Sequence, residues 1–309
     1  MNRLVFVSML LLLLGCGRPP AGPVQVATNV WPGYEPLYLA RQLGALDPKA
    51  FRLEEMSSSS DCIRALRAGR VSAAALTLDE TFLLLQDGVD LQVVLVMDVS
   101  HGGDALLGRP EIGTLSGVKG RRVGVENTGV GAYLFSRALD QAGLRPDEVI
   151  LVPITEGAHA TAYRSGTVDA IVTFEPTRSR LIAEGAKILF DSRRIPEEIF
   201  DVLVIRGEAA RAHPEWAAQI RRAWFRALDF LRTHPDEAIR RMAPREGLEP
   251  AAFRQALDGL VFPDAATDQR MRGGSLLVPA RRLADLMLQK HLLEHPVDPA
   301  RLLSAARQP

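Results

Sequence analysis

One rhythm governs this chain: a short apolar run, a polar turn, a segment with helical apolar spacing, then a glycine, after which the cycle restarts. It is read over residues 51–97 as strand 51–56, turn 57–60 and helix 61–68 closed by Gly69. Strand 71–76, turn 77–79 and helix 80–87 closed by Gly88 come next, then strand 91–97. Residues 121–190 repeat it, with strands at 121–126, 149–154, 168–174 and 187–190. The helices between them run from 127–131 to 141, around 159–164, and from 176 to 184. Short strands alternating with glycine-stopped helices predict an α/β fold with mainly parallel sheets flanked by helices. At 309 residues, 47% of them apolar, the chain has material for two lobes, each with its own core.

In such sheets ligands sit beyond the carboxyl ends of the strands, which is where the polar residues of each cycle fall. Ser59 or Ser60 is the expected cap of the 61–68 helix and Asp79 that of the 80–87 helix. Capping and ligand contact are both open at these positions. Residues 126–131, Glu-Asn-Thr-Gly-Val-Gly, contain G-x-G without the full dinucleotide fingerprint, so no nicotinamide or flavin site is expected. This turn either caps its helix or offers N–H groups to a polar ligand.

The first cycle is distinctive. Residues 24–40, VQVATNVWPGYEPLYLA, read as a strand, the aromatic turn Trp31-Pro32-Gly33-Tyr34, and a helix begun by Glu35-Pro36 and stopped at Gly44. Trp31 and Tyr34 either pack beneath the loop or wall a site. Residues 98–107, DVSHGGDALL, look like a crossing between lobes, with Gly102 and Gly103 free to hinge. His101 has no His or Cys at ligand spacing, so no metal is expected. Residues 201–206, DVLVIR, would be the return crossing. Helices are expected at 214–232, 235–242, 250–257 and 279–293, with Trp216, Trp224 and Phe225 read as core.

Residues 1–16, MNRLVFVSMLLLLLGC, have the charge and short apolar run of a targeting segment. The apolar stretch 4–14 is shorter than the ~20 residues that span a bilayer. Leu13-Leu14-Gly15-Cys16 resembles a bacterial lipobox, which implies a signal peptide at 1–15, lipidation of Cys16 and a tether over 16–23. Cys62 is then left alone, as a small buried hydrophobe. The 37 basic residues balance 37 acidic ones without a concentrated basic face, so no nucleic-acid partner is expected.

Taken together, WPGYEPLYLA, LTLDE at 76–80, DVSHGGDALL at 98–107, VGVENTGVGAY at 123–133, VDAIVTFEP at 168–176 and DVLVI at 201–205 resemble a family. It is the substrate-binding proteins of ABC importers in the nitrate/sulfonate/taurine class, including relatives that bind thiamine-precursor pyrimidines. The resemblance implies the two-lobed type 2 periplasmic-binding-protein fold, with two crossover hinges closing on a small molecule. One lobe would comprise 24–100 and 204–309, the other 101–203. It implies no catalytic residues and no cofactor. The protein would be an exported, lipid-anchored monomer at the periplasmic or cell-surface side, serving the transmembrane subunits of an ABC permease. On matching positions the ligand contacts would be Trp31, Tyr34, Ser60, Thr77, Asp79, Asn127, Thr128 and Glu175. Some pyrimidine-precursor synthases share the fold but are implied to need a Cys-rich iron-binding motif, against which this chain offers Cys62.

The expected ligand is a small nitrogen-containing organic molecule, a pyrimidine or an amine. Asp79, Glu80, Asp98, Asp104, Glu126 and Glu175 crowd the strand ends, where a bound anion would meet like charge. Trp31 and Tyr34 suit a planar ring or a cation. A sulfonate, taurine or nitrate remains the alternative, because two helix N-termini could receive an anion.

Overall fold

A computed structural model describes residues 22–126 and 129–303. The expected signal segment at 1–15, Cys16, Asn127 and Thr128 lie outside the described residues. The strands are β1 (Val24–Thr28), β2 (Phe51–Glu55), β3 (Ala73–Thr77), β4 (Leu91–Ser100), β5 (Asp104–Gly108) and β6 (Arg122–Val125). They continue with β7 (Ile150–Pro153), β8 (Ala170–Phe174), β9 (Lys187–Asp191), β10 (Phe200–Arg206) and β11 (Leu260–Val261). They form two sheets, ordered β11-β4-β10-β3-β1-β2 and β7-β6-β8-β5-β9.

Parallel pairing joins β1 to β2 and β3, and β6 to β7 and β8, as the strand–helix rhythm requires. The strand that follows each crossing runs the other way. β10 pairs antiparallel with β3 and β4, and β5 with β8 and β9. Both sheets are therefore mixed, because a chain that leaves a lobe and returns must enter it against the direction of the βα units.

The helices are α1 (Glu35–Gln42), α2 (Ser59–Arg67), α3 (Leu78–Gln86), α4 (Val130–Ala142), α5 (His159–Arg164) and α6 (Thr177–Ala183). Seven more follow β10: α7 (Gly207–Ala212), α8 (Glu215–Thr233), α9 (Pro235–Met242), α10 (Pro250–Leu257), α11 (Ala265–Arg270), α12 (Leu277–Gln289) and α13 (Ala300–Leu303). None of the described helices is long and apolar enough to cross a membrane.

Two caps differ from expectation. Ser58, not Ser59 or Ser60, caps α2, its Oγ accepting the Asp61 N–H at 3.2 Å. α3 starts at Leu78, so Asp79 is inside the first turn rather than its cap. Glu80 turns back to accept the Thr77 N–H at 2.9 Å, the carboxylate half of a capping box.

The core lies between sheets and helices. β3 is small and wholly buried, Ala-Ala-Ala-Leu-Thr, which lets helices close on it. Trp224 and Phe253 are fully buried and Trp216 nearly so, core residues beneath α1 and α8–α10. Cys62 is buried and unpaired, and burial pushes its thiol far above the usual range.

Two crossings join the sheets: the chain between β4 and β5, and that between β9 and β10. Hydrogen bonds tie them to each other. The buried Ser192 Oγ accepts the Gly102 N–H at 2.6 Å and shares a hydrogen bond with Ser100 Oγ at 2.8 Å. The Gly259 carbonyl, just before β11, accepts from the N–H groups of His101 (2.8 Å) and Gly103 (3.1 Å). Gly102 has φ +116°, a conformation that favours glycine. β10 pairs with the first sheet along its whole length, so the division expected between 203 and 204 falls inside a strand.

Ser192→Ala leaves the Gly102 N–H without its acceptor in a buried place. It should lower the unfolding free energy by about 1–3 kcal/mol. Urea denaturation checks this, and an unchanged midpoint would show that the bridge between crossings is dispensable.

Candidate functional site

The loop after β1 is fixed by two carboxyls beneath it. Trp31 Nε1 donates to Asp98 Oδ2 at 3.3 Å, and the Tyr34 hydroxyl donates to Asp201 Oδ1 at 2.6 Å. Gly33 between them presses on the same group: a β-carbon there would collide with Asp98 Oδ2 and the Trp31 indole nitrogen. Pro32 sets φ and opens the single 3-10 turn that leads into α1. Asp98 and Asp201 face each other across the β4–β10 pair, and both are fully buried.

Above them lies a cavity of about 20 Å³, little more than one water molecule requires. The first sheet's side contributes Asn29, Trp31, Tyr34, Ser59, Thr77, Glu80 and Asp201; the other side contributes Asp104, Val130 and Phe174. Trp31 meets Phe174 edge-to-face with ring centres 6.1 Å apart. Phe174 is backed by His159, which burial holds neutral by lowering its pKa to about 4.

Hydrogen bonds close the rim across the two sides. Ser60 Oγ donates to Glu126 Oε1 at 2.5 Å. Glu156 accepts from Asn29 Nδ2 at 3.3 and 3.4 Å and from the Ser59 N–H at 3.2 Å.

Among the described residues no Arg, Lys or His lines the cavity, whereas three carboxyls do. Loss of hydration is the main force on them. It pushes Glu80 up to about 8, helped by the nearby Asp79 charge, and Asp104 up to about 7. Asp98, just below the cavity, rises to about 8, and Asp201 well above the carboxylate range. Glu80 Oε1, Asp98 Oδ1 and Asp201 Oδ2 are buried without a hydrogen-bond partner among the described residues. Such oxygens in a dry place are costly and favour a proton or a cation as partner.

The expected contacts are thus partly gathered. Trp31, Tyr34 and Thr77 line the cavity; Ser60 sits at the rim. Asp79 is buried in the first turn of α3 outside the lining, with burial pushing its carboxyl to about 7. Glu175 is buried, and its oxygens are taken by Arg178 Nη1 (2.9 Å), Ser179 N–H (3.1 Å) and Ser179 Oγ (2.9 Å), so it serves its own helix, α6. Asn127 and Thr128 cannot be placed, as they lie outside the described residues. Sequence reasoning missed Asn29, Val130, Phe174 and Asp201 as lining, and left Ser59 open between cap and ligand contact. It read Glu80 and Asp104 as strand-end acids without assigning them contacts.

Among the described residues no group of three or more His, Cys, Asp or Glu side chains could hold a metal ion. A larger groove, about 870 Å³, shares no residue with the cavity. It runs along α8 and α11 past Arg221, Arg222, Arg226 and Arg272.

The fold is that of periplasmic binding proteins. The alkanesulfonate-binding protein SsuA of Xanthomonas axonopodis pv. citri, bound to MOPS, superposes with a TM-score of 0.77 at 20% identity, covering 91% of this chain and 98% of that one. The periplasmic nitrate-binding protein NrtA of Synechocystis PCC 6803 gives 0.76 at 10% identity, covering 93% and 86%. In sequence, a Brucella abortus (strain 2308) protein named a binding protein is 21% identical over 201 residues, 63% of this chain and 63% of the relative's own length. The NMT1-like family model matches residues 17–245, and the chain belongs to the NMT1-like family.

Proposed function

We propose that this chain is the solute-binding component of an ABC importer and that the cavity under the Trp31–Tyr34 loop captures a small nitrogen-containing organic solute, an amine or a pyrimidine. The observation that carries the reading is the lining: three carboxyls, aromatic walls and, among the described residues, no cationic side chain. At about 20 Å³ the cavity as it stands holds little more than a water, so the solute needs its two sides parted; an amine or amidine would then supply donors to the unpartnered oxygens of Glu80 and Asp201 and lay its apolar part against Trp31 and Phe174. Family membership and the two-lobed fold support a binder of solutes. A fold alone does not separate binders from enzymes, so the site has to carry that distinction. In its favour, the polar groups here are deeply buried carboxyls locked to the loop and to helix starts.

The structural neighbours named for alkanesulfonate and nitrate favour a second reading, an anion. The start of α4 at Val130 supports it, because it brings a helix N-terminus to the cavity. Against it, an anion there would face Glu80 as well, for Gly129 is pressed onto the Glu80 carboxyl.

The test is calorimetric titration with alkylamines, aminopyrimidines, alkanesulfonates and nitrate. An amine or pyrimidine should bind, and Glu80→Gln or Asp104→Asn should weaken it about 10- to 150-fold, the value of a hydrogen bond to a charged group. Tight sulfonate or nitrate binding, with amines inert, would replace this reading by the second.

We further propose that the protein is exported, lipidated at Cys16 and tethered at the membrane beside the permease subunits that receive its solute. Wild-type protein should then incorporate labelled fatty acid and sediment with membranes, and Cys16→Ser should do neither while keeping its melting temperature. An unlabelled wild type would remove the anchor from the picture.

A further inference from the structure

The two carboxyls beneath the aromatic loop have a complementary deficit. Asp98 uses Oδ2 for the Trp31 indole and leaves Oδ1 unpartnered; Asp201 uses Oδ1 for the Tyr34 hydroxyl and leaves Oδ2 unpartnered. They are register partners on adjacent antiparallel strands, so their side chains stand side by side on one face. Each therefore has one oxygen to spare beside an opposed carboxyl, and two like charges in a dry interior cannot both persist. One proton held between the pair satisfies both.

Among the described residues the surroundings offer no other neutraliser. The groups facing the pair are the Trp31 indole and Tyr34 hydroxyl from the loop, Asp104 from β5 and Glu80 from α3. Burial and the neighbouring carboxylates hold the Tyr34 hydroxyl protonated, so it acts as a donor. The cation felt at Asp104, Arg178, is engaged by Glu175 at 2.9 Å. Asp201 lines the cavity and Asp98 does not, so a ligand meets the pair through Asp201 alone.

We propose that the Asp98–Asp201 pair holds a single shared proton and releases it to solvent when an organic cation occupies the cavity, so that solute is bound in exchange for a proton. The proposal rests on the reading of the cavity as a site for a nitrogenous cation. A cation donating to Asp201 Oδ2 takes the place of the proton: the pair goes from one negative charge to two, the cation supplies the one positive charge that the proton supplied before, and the net charge of the site is unchanged.

The direction of the pH dependence follows. At low pH the proton competes with the cation, and the competition ends above the pair's own titration. Cation affinity therefore rises about tenfold per pH unit while the pair keeps its proton, the signature of one proton exchanged, and levels off only above the pair's last ionisation, which burial and the Asp98 charge hold well above the carboxylate range at Asp201.

The experiment is calorimetric titration of the full chain with ethylammonium, an alkylamine whose charge is constant across this range. It is run from pH 6 to pH 9 in buffers of differing ionisation heat. Wild type should release about one proton more per cation bound than Asp98→Asn at each pH below the pair's last ionisation. In Asp98→Asn the amide supplies the bridging hydrogen permanently. That variant should lose about a tenfold change per pH unit from the slope of ethylammonium affinity, keeping only the part that Glu80 and Asp104 in the lining contribute. Ethylammonium binding without proton release, or a full pH slope surviving in Asp98→Asn, would overturn the exchange and leave the cation site standing. No ethylammonium binding at any pH would overturn both. Should Asp98→Asn fail to fold, wild-type protein carrying isotope-labelled aspartate decides. The infrared intensity of neutral aspartic acid should fall by the share of one residue when ethylammonium is added at pH 6, against the background that Asp79 and Asp104 supply; an intensity that ethylammonium leaves untouched would overturn the proposal.

Discussion

The burial of Asp98 and Asp201 side by side is the constraint on which the rest of the cavity depends. Two carboxyls removed from water are expensive, and each is made tolerable by a donor from the same short loop. That fixes where the loop can lie: Trp31 and Tyr34 point down onto the pair, and Gly33 between them has room only for hydrogen. The aromatic residues are thus held by their polar ends while their ring faces form the wall. The strands that carry the pair are also the ones whose ends lead into the crossings, so loop, cavity floor and inter-lobe connection share one polar cluster.

The distribution of charge divides the site by depth. At the bottom, Asp98, Asp201, Asp104 and Glu80 are all shifted toward the neutral form by loss of hydration. At the rim, Glu126 and Glu156 are shifted the same way, but both have oxygens engaged by donors from the opposite side, Ser60, Asn29 and the Ser59 N–H. The rim acids hold the two sides together, while on the floor Asp98, Asp201 and Glu80 each keep one oxygen without a hydrogen-bond partner among the described residues. This separates residues that latch from residues that can address a ligand, although both kinds lie at strand ends.

Much of this was legible in the chain. The strand–helix rhythm predicted the parallel units, and Trp216 and Trp224 were read correctly as core. Pro at a first helical turn marked α9 and α10 to the residue. What escaped was information held across space. Nothing near Asp201 says that it will lie opposite Asp98, because their pairing is set by a chain that leaves for a second sheet and returns. The strand β8 was recognised, but Phe174 faces the cavity and Glu175, one residue on, folds back to its own helix. Which of two consecutive residues points inward depends on where the pleat ends. Asp79 and Glu80 show the same ambiguity: the capping-box spacing from Thr77 favours Glu80, and one of its oxygens caps while the other faces inward.

The link between Ser100 and Ser192 has a mechanical side. Two separate straps between rigid bodies allow them to twist and shear as well as to bend, since each strap can change shape alone. Here the straps are fastened to each other through Ser192 and to the edge of the first sheet through the Gly259 carbonyl. Fastened straps must move together, which removes relative twist and leaves one axis of rotation. The positive φ of Gly102 lies in the first strap, beside the fastening. Opening and closing would then trace a single reproducible path, and the opposing acids and donors of the rim would meet in the same register on every closure.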